Sequence, residues 1–319
     1  MLDLLKECRG AKKIGISGHI RPDGDCVGAC LALKMYLQKN IEGASVTVYL
    51  EQPADIFKDI KGFGEINSAF PQEPSFDVYF ALDCGRERTG EAAKYFDVAK
   101  KTINIDHHKS NEAGTCMVNH VRPEIGSACE VLYDLMEKDK LDAEIALALY
   151  VGMVHDTGVF QYTNTTPDTM RKAAELMEWG IPFSRIIEET FYQKTLMQTK
   201  ICGQVMEECS SVLNGRCVTG FVDGATMEKY GAKPYDLDGI VNKLRNITGV
   251  SCAIFAYQLN EEECKISLRS DESVDVAKIA ECFEGGGHMR ASGFTMKGTF
   301  EECVEKILPL IETQLNDPK

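Results

Sequence analysis

The chain has 319 residues, 44% hydrophobic and 26% charged, the composition of a globular protein long enough for two domains. No apolar stretch nears the roughly 20 residues of a membrane span, and residues 1–18 lack a signal-peptide pattern, so we expect a cytoplasmic protein with no membrane partner. The net charge of −14 comes without any Lys/Arg-rich block. That excludes long nucleic acid, which needs a basic stripe to release counterions, but not a short nucleotide whose few phosphates metals and one or two arginines can hold.

Residues 12–17 read as a short buried strand. Val27, Leu31 and Met35, with Cys30, Leu33 and Leu37 beside them, have the spacing of an amphipathic helix. Between strand and helix, Gly18-His19-Ile20-Arg21-Pro22-Asp23-Gly24-Asp25 gathers one imidazole and two carboxylates. Taken alone, this segment is either a polar loop that caps the helix or a set of ligands for a hard divalent cation, shifted towards Mn2+ by the imidazole. The apolar run 76–82 ends in Asp83, and Thr102-Ile103-Asn104-Ile105 runs into Asp106-His107-His108. The Ala- and Leu-rich helix 146–154 delivers His155-Asp156-Thr157-Gly158. Ligands of open α/β sheets gather outside the carboxyl ends of parallel strands, so these element ends are expected to share one pocket. Four of the six histidines lie at them.

Helical patterns follow at 168–179 and 194–209, and Asn214-Gly215 is a strong turn signal. From Arg216 a second α/β unit begins: strand 217–222, helix 237–245, strands 250–257 and 264–269, helix 274–283. A last helix follows, with Val304, Ile307, Leu308, Ile311 and Leu315 on its apolar face. The expected organisation is a βα-alternating, mostly parallel first domain over 1–185, a helical linker over 186–215 and a smaller α/β domain over 216–319. The 13 cysteines include no C-x-x-C pair and are expected to be small buried hydrophobes. The second domain has its own hotspot, Glu284-Gly285-Gly286-Gly287-His288. It reads either as a flexible loop with an incidental histidine or as a nest of amides for an anion. Arg269-Ser270 ends the neighbouring strand and offers a guanidinium suited to a phosphate.

His19-x-x-Pro22-Asp23-x-Asp25, Asp83, Asp106-His107-His108 and Asp156-Thr157-Gly158 resemble, in order, the four motifs of the DHH phosphoesterase superfamily. Arg269-Ser270 and Gly285-Gly286-Gly287-His288 resemble the DHH-associated C-terminal domain of its RecJ-like branch. The likeness covers essentially the whole chain and is greatest to the compact bifunctional oligoribonuclease and pAp phosphatase (NrnA-type) branch. It implies an active site in the interdomain cleft and two Mn2+ per chain, with Mg2+ or Co2+ as substitutes. His19, Asp23 and Asp83 would hold one metal, and Asp25, Asp83, His107 and Asp156 the other, bridged by Asp83. Asp106 would orient the histidine pair, or serve as a strand-end cap. His108 would face the scissile phosphate, and Arg269, Ser270, Gly285, Gly286, Gly287 and His288 would grip the substrate.

The implied activity is Mn-dependent hydrolysis of short oligoribonucleotides to mononucleotides and of pAp to AMP. Alternatives are a phosphodiesterase for linear or cyclic dinucleotides (pApA, cyclic-di-AMP) and a non-catalytic nucleotide-binding regulator. A homodimer stays open. The chain departs from the family pattern at three positions. Glu284 stands where a fourth glycine is common, Ala29 where serine is common, and His155, which precedes the fourth-motif aspartate, is read as a neighbour of the site or an incidental residue rather than a ligand.

Overall fold

The computed structural model describes residues 2–73 and 75–316, and of His288 the backbone alone. The chain divides into two compact units, Met1–Gln193 and Lys194–Lys319. The first runs α1 (Leu4–Glu7), β1 (Lys13–Ser17), α2 (Gly24–Asn40), β2 (Ser45–Tyr49), β3 (Val78–Leu82), β4 (Thr102–Asp106), β5 (Val118–Val121), α3 (Ala128–Leu135), α4 (Ala143–Asp156), α5 (Pro167–Met177) and α6 (Phe183–Ile187). Its five strands are all parallel, in the order β2-β1-β3-β4-β5. The chain starts inside the sheet, steps outward to β2, then crosses back to lay β3 on the other side of β1. At such a reversal of strand order the loops leave neighbouring carboxyl ends in opposite directions, and a crevice opens between them.

Both faces of this sheet are covered, as an all-parallel sheet requires. Side chains alternate along a strand, so Val78, Phe80 and Leu82 of β3 join the core formed with α2, α3 and α4, while Tyr79 and Ala81 face the other way. There they meet Tyr49, Phe76, Tyr95 and Phe96 in an aromatic cluster. The α2–α4 contact is unusually close. A Cβ on Gly28 would lie 2.4 Å from the Ala148 carbonyl oxygen, and one on Gly152 would lie 2.5 Å from Asp25 Oδ1 and 2.2 Å from Cys129 Sγ. Glycine at these two positions brings the helix backbones together and leaves room for a carboxylate in the contact.

The second unit comprises α7 (Leu196–Glu208), β6 (Ser210–Val212), β7 (Cys217–Val222), α8 (Gly224–Tyr230), α9 (Ile240–Arg245), β8 (Cys252–Asn260), β9 (Glu263–Ser270), α10 (Val276–Glu281), β10 (Gly286–His288), β11 (Ala291–Lys297) and α11 (Phe300–Asn316). Its sheet runs β10-β11-β9-β8-β7-β6, with β7 and β8 parallel and every other pair antiparallel. Cys252, Ile254 and Ala256 of β8 pack with residues of α10 and α11, and Ala253, Phe255 and Tyr257 with residues of α7 and α9.

Two segments differ from the sequence expectation. No separate helical linker occupies 186–215. Residues 188–192 close the first unit, whereas Ile201 and Val205 of α7 are buried against Val218 and Leu244, which makes this helix part of the second core. The glycine-rich stretch is a hairpin strand rather than a loop, with Gly286 paired to Gly293, Gly287 to Ser292 and His288 to Ala291. Cβ atoms at 285 and 287 would fall 2.4 Å from Phe294 Cβ and from the Ala291 carbonyl oxygen, respectively. Two of the three glycines are therefore demanded by packing.

Overpacking a core costs about 1–3 kcal/mol. Gly28→Ala should lower stability by about that amount, since the clash is with backbone. Gly64→Ala, with nothing within 4 Å of its Cβ, should change stability by less than about 0.5 kcal/mol. Chemical denaturation of both variants measures the difference, and equal midpoints would show that the helix contact yields.

Candidate metal centre

Every ligand expected in the first unit stands at the crevice between β1 and β3 or beside it. After β1 the chain presents His19, 7% exposed. Its Nδ1 lies 2.8 Å from the Ile20 carbonyl oxygen. That contact places the proton on Nδ1 and leaves the Nε2 lone pair to a ligand. Nε2 is 3.3 Å from Asp83 Oδ2 and 3.6 Å from Asp23 Oδ1. Asp23 is also the N-cap of α2, where its Oδ1 accepts the Asp25 and Cys26 amides at 3.1 Å. The helix-capping and ligand readings of this residue are thus compatible in one side chain.

Asp25 is completely buried in the first turn of α2. Its two oxygens accept the Ala128 and Cys129 amides, at 2.6 and 2.9 Å. These are the first N–H groups of α3, which have no partner within the helix and favour an anion. The sequence reading had no place for α3 in the site. Its start is nevertheless legible in Ser127-Ala128-Cys129-Glu130, where Ser127 caps the Glu130 amide.

Asp83 leaves β3 with φ 59°, a left-handed conformation uncommon outside glycine. It offers Oδ2 to His19 and Oδ1 to His107, whose Nε2 lies at 3.3 Å. His107 Nε2 is also 3.0 Å from Asp156 Oδ2 at the end of α4 and 3.9 Å from Asp25 Oδ2, and its Nδ1 faces the Ile125 carbonyl oxygen at 3.3 Å. Asp106 is fully buried. Its Oδ1 accepts from the His107 and His108 amides and from His108 Nδ1 at 2.8 Å, and its Oδ2 accepts from Asn111 Nδ2 at 2.7 Å. Of the histidine pair, it is the ring of His108 that Asp106 holds. Neither Asn111 nor Asn104 behind it stands out in the amino-acid order as part of the site.

The charge balance fits divalent cations. Asp83 Oδ1 and His107 Nε2 are buried and make no hydrogen bond although they are neighbours, so their lone pairs are not spent on each other. Burial would raise Asp83, but the imidazoles of His107 and His19 outweigh it and hold its carboxyl far below the usual range. Asp25 is pushed well above that range by burial and by the charges of Asp83 and Asp156. Asp156 is pushed up to about 6 by burial, with Asp83 adding to the rise and His107 opposing it. Protons sit where negative charge is crowded, and a bound dication takes their place. Cys26 joins the same cluster, within 4.8 Å of the ligand atoms of His19 and Asp83. Burial raises its thiol, so it packs as the small apolar group expected.

His155 does not join the cluster. Its ring packs against Phe57 and Phe191, and its Nε2 is 3.0 Å from Thr190 Oγ1, in the π-helical turn Glu188–Tyr192 that ends the first unit. Ala29 is fully buried in α2. In the second unit, Ser270 Oγ donates to the Val274 carbonyl at 2.6 Å, which leaves it only an acceptor, and Gly285 spends its amide on the Ala280 carbonyl. The anion nest read from the sequence therefore lacks the Gly285 N–H. Glu284 takes φ 57°, the conformation its expected glycine would favour. Arg269 and His288 are both in register with Ala291, which places them in one row across β9, β11 and β10. The side chain of His288 lies outside the described residues.

A parallel sheet with an acidic and imidazole cluster at its strand-order reversal is the arrangement of a metal-binding α/β protein, and the domain matches and relatives that follow make it a hydrolase acting on phosphoester bonds. Residues 13–153 match the DHH family, N-terminal domain, and residues 214–317 match the DHHA1 domain, so the chain carries these two domains in that order. It is 28% identical to the bifunctional oligoribonuclease and PAP phosphatase NrnA of Thermus thermophilus, over 98% of this chain and 93% of that protein. It is 26% identical to the Bacillus subtilis protein of the same name, over 92% of each. An exopolyphosphatase-related protein from Bacteroides fragilis has a similar structure, with a TM-score of 0.88, 27% identity and coverage of 98% and 96% of the two chains.

Asp83 is the residue common to both halves of the cluster. Asp83→Ala should weaken Mn2+ uptake by more than about 100-fold, beyond the roughly 10–100-fold typical of losing a group behind the ligands. Calorimetric titration of chelator-treated protein measures it, and unchanged uptake would place the metal elsewhere.

Proposed function

We propose that the protein is a two-metal, Mn2+-preferring phosphoesterase that hydrolyses short oligoribonucleotides to mononucleotides and dephosphorylates pAp to AMP. The observation that carries this reading is the position of Asp83, with one oxygen towards His19, which also faces Asp23, and the other towards His107, which also faces Asp156 and Asp25. Those residues would hold the metals as two sets that share Asp83. When bound, such ions polarise phosphoryl oxygens and lower the pKa of water. The names of the full-length relatives supply the substrate class.

The chain's own groups then have definite work. The α3 amides fix the orientation of the Asp25 carboxyl. His19 and His107 each give Nδ1–H to a backbone carbonyl and present Nε2. His108, with Nδ1–H donated to Asp106, would use Nε2 to steady charge on the phosphate or to move a proton. In the second unit we assign substrate recognition to Arg269, with Gly286 and Gly287 allowing close approach, His288 as a further contact, and Ser270 and Gly285 as supports of the hairpin. Gly286 alone of the three glycines has nothing within 4 Å of its Cβ position, so packing does not explain it.

A turnover comparison with Mn2+ and with Mg2+ tests the reading on pAp, ribonucleotides of two to five units and cyclic-di-AMP. Mn2+ should support the faster reaction and chelation should abolish it, with pAp and the short RNAs as the better substrates. Preference for the cyclic dinucleotide would replace this substrate assignment, and full activity after chelation would overturn the metal mechanism.

Arg269→Ala separates recognition from chemistry. A guanidinium–phosphate contact is charge-assisted and among the stronger hydrogen bonds, so KM for pAp should rise at least about 10-fold while metal content stays constant. Bis-p-nitrophenyl phosphate, which lacks a terminal phosphate, should be hydrolysed at the wild-type rate. Equal losses on both substrates would return Arg269 to a structural role.

A further inference from the structure

Behind Asp106 lies a chain of side-chain amides that the assigned ligands do not use. Asn104, fully buried in β4, donates through Nδ2 to the carbonyl oxygens of Ala81 at 3.1 Å and Cys84 at 2.8 Å, on either side of Asp83. Asn111, 6% exposed, donates through Nδ2 to Asn104 Oδ1 and to Asp106 Oδ2, both at 2.7 Å. Asp106 Oδ1 in turn faces His108 Nδ1 at 2.8 Å.

The direction of these bonds is forced. Backbone carbonyls only accept, so the Asn104 atom that faces two of them must be its NH2 group, and its oxygen must face Asn111. Asn111 therefore presents its own NH2 group, one hydrogen to Asn104 and the other to Asp106. Asp106 then meets a donor on Oδ2 and three on Oδ1: the His107 and His108 amides and His108 Nδ1. With both oxygens accepting, His108 carries a proton on Nδ1, and Nε2 is the nitrogen through which it meets a substrate.

We propose that Asn111, backed by Asn104, is a positioning residue for His108: the amide relay carries the polarity of the turn around Asp83 to Asp106 and so fixes the orientation and tautomer of the imidazole. The inference rests on the role assigned to His108 above. It also explains two asparagines buried side by side, where an apolar pair would fill the space at no cost in desolvation. Removing the donor leaves an oxygen of a buried carboxylate without a partner.

The test compares Asn111→Asp with Asn111→Ala. The aspartate keeps shape and volume but replaces the NH2 group by an oxygen, which faces Asp106 Oδ2 and Asn104 Oδ1 as a repelling acceptor. The relay predicts that the isosteric variant is the worse one. Its kcat should fall by about 10–100-fold, the usual cost of losing a group behind a ligand set, with KM and metal content unchanged, and Asn111→Ala should lose less. A space-filling role predicts the opposite order, and that result would overturn the inference. Asn104→Asp, one step further back, should show a smaller loss of the same kind and covers the case in which the 111 variants fold poorly.

A second readout does not need turnover. Imidazole 15N spectra of the Mg2+-loaded full chain should show His108 protonated on Nδ1 in the wild type and a mixture of tautomers in the aspartate variants. A wild-type spectrum with the proton on Nε2, or one unchanged by Asn111→Asp, would refute the relay. A wild type that hydrolyses no phosphoester would instead sink the proposed function, and the spectra would still decide the relay.

Discussion

Asp83 carries a negative charge at a place where burial alone would protonate it, and the surrounding half of the molecule is arranged to keep it ionised. Its left-handed backbone turns the carboxylate across the end of β3, between imidazoles delivered by β1 on one side and β4 on the other. Strain of this kind costs roughly 1–3 kcal/mol and persists only where the surroundings fix it. Here they do. The Asp83 amide is held by the Ile105 carbonyl, and the turn beyond is held through Cys84 by Asn104. The reversal of strand order makes the crevice, and the anion at its edge calls for cations there.

The remaining carboxylates are stabilised in different ways. Asp25 accepts from the amino end of a helix, Asp106 from four donors, and Asp23 from two amides of the helix it caps. Asp156 has only His107 to oppose burial and its anionic neighbours and is drawn up to about 6, and burial with the charges of Asp83 and Asp156 also raises Asp25 despite its two amides. Each of the others has part of its charge met by fixed dipoles, whose hydrogen bonds need no rearrangement when cations arrive.

Much of this arrangement is legible in the amino-acid order because strand ends are legible. An apolar run followed by Asp or His identifies both a β-strand and the side of the sheet on which ligands would collect, and this signal picks out His19, Asp23, Asp25, Asp83, His107 and His108 as candidates, with Asp156 read from the end of a helix. What the order conceals are contacts between distant segments. The α3 amides reach Asp25 across more than a hundred residues. The closeness of α2 and α4 depends on Gly28 and Gly152, which look from sequence like weak points in two helices. The Gly285-Gly286-Gly287 stretch misled for a related reason: three glycines suggest a loop, whereas here a tight hairpin excludes side chains at two of them. Helix α7 read as linker because the hydrophobic partners of Ile201 and Val205 lie on strands and helices further along the chain.

The π-helical turn at Glu188–Tyr192 has a mechanical meaning. π-Turns are local wide windings that often occur at functional positions. This one is the last structured segment before the chain passes to the second unit, and Gln193 is tied into it by its amide on the Glu188 carbonyl. Thr190, in the middle of the turn, holds the ring of His155, the residue immediately before Asp156. Between Gln193 and the backbone of Asp156 there are thus a single turn, one hydrogen bond and one peptide link. The winding of this turn and the position of Asp156 are therefore tied to each other within the first unit.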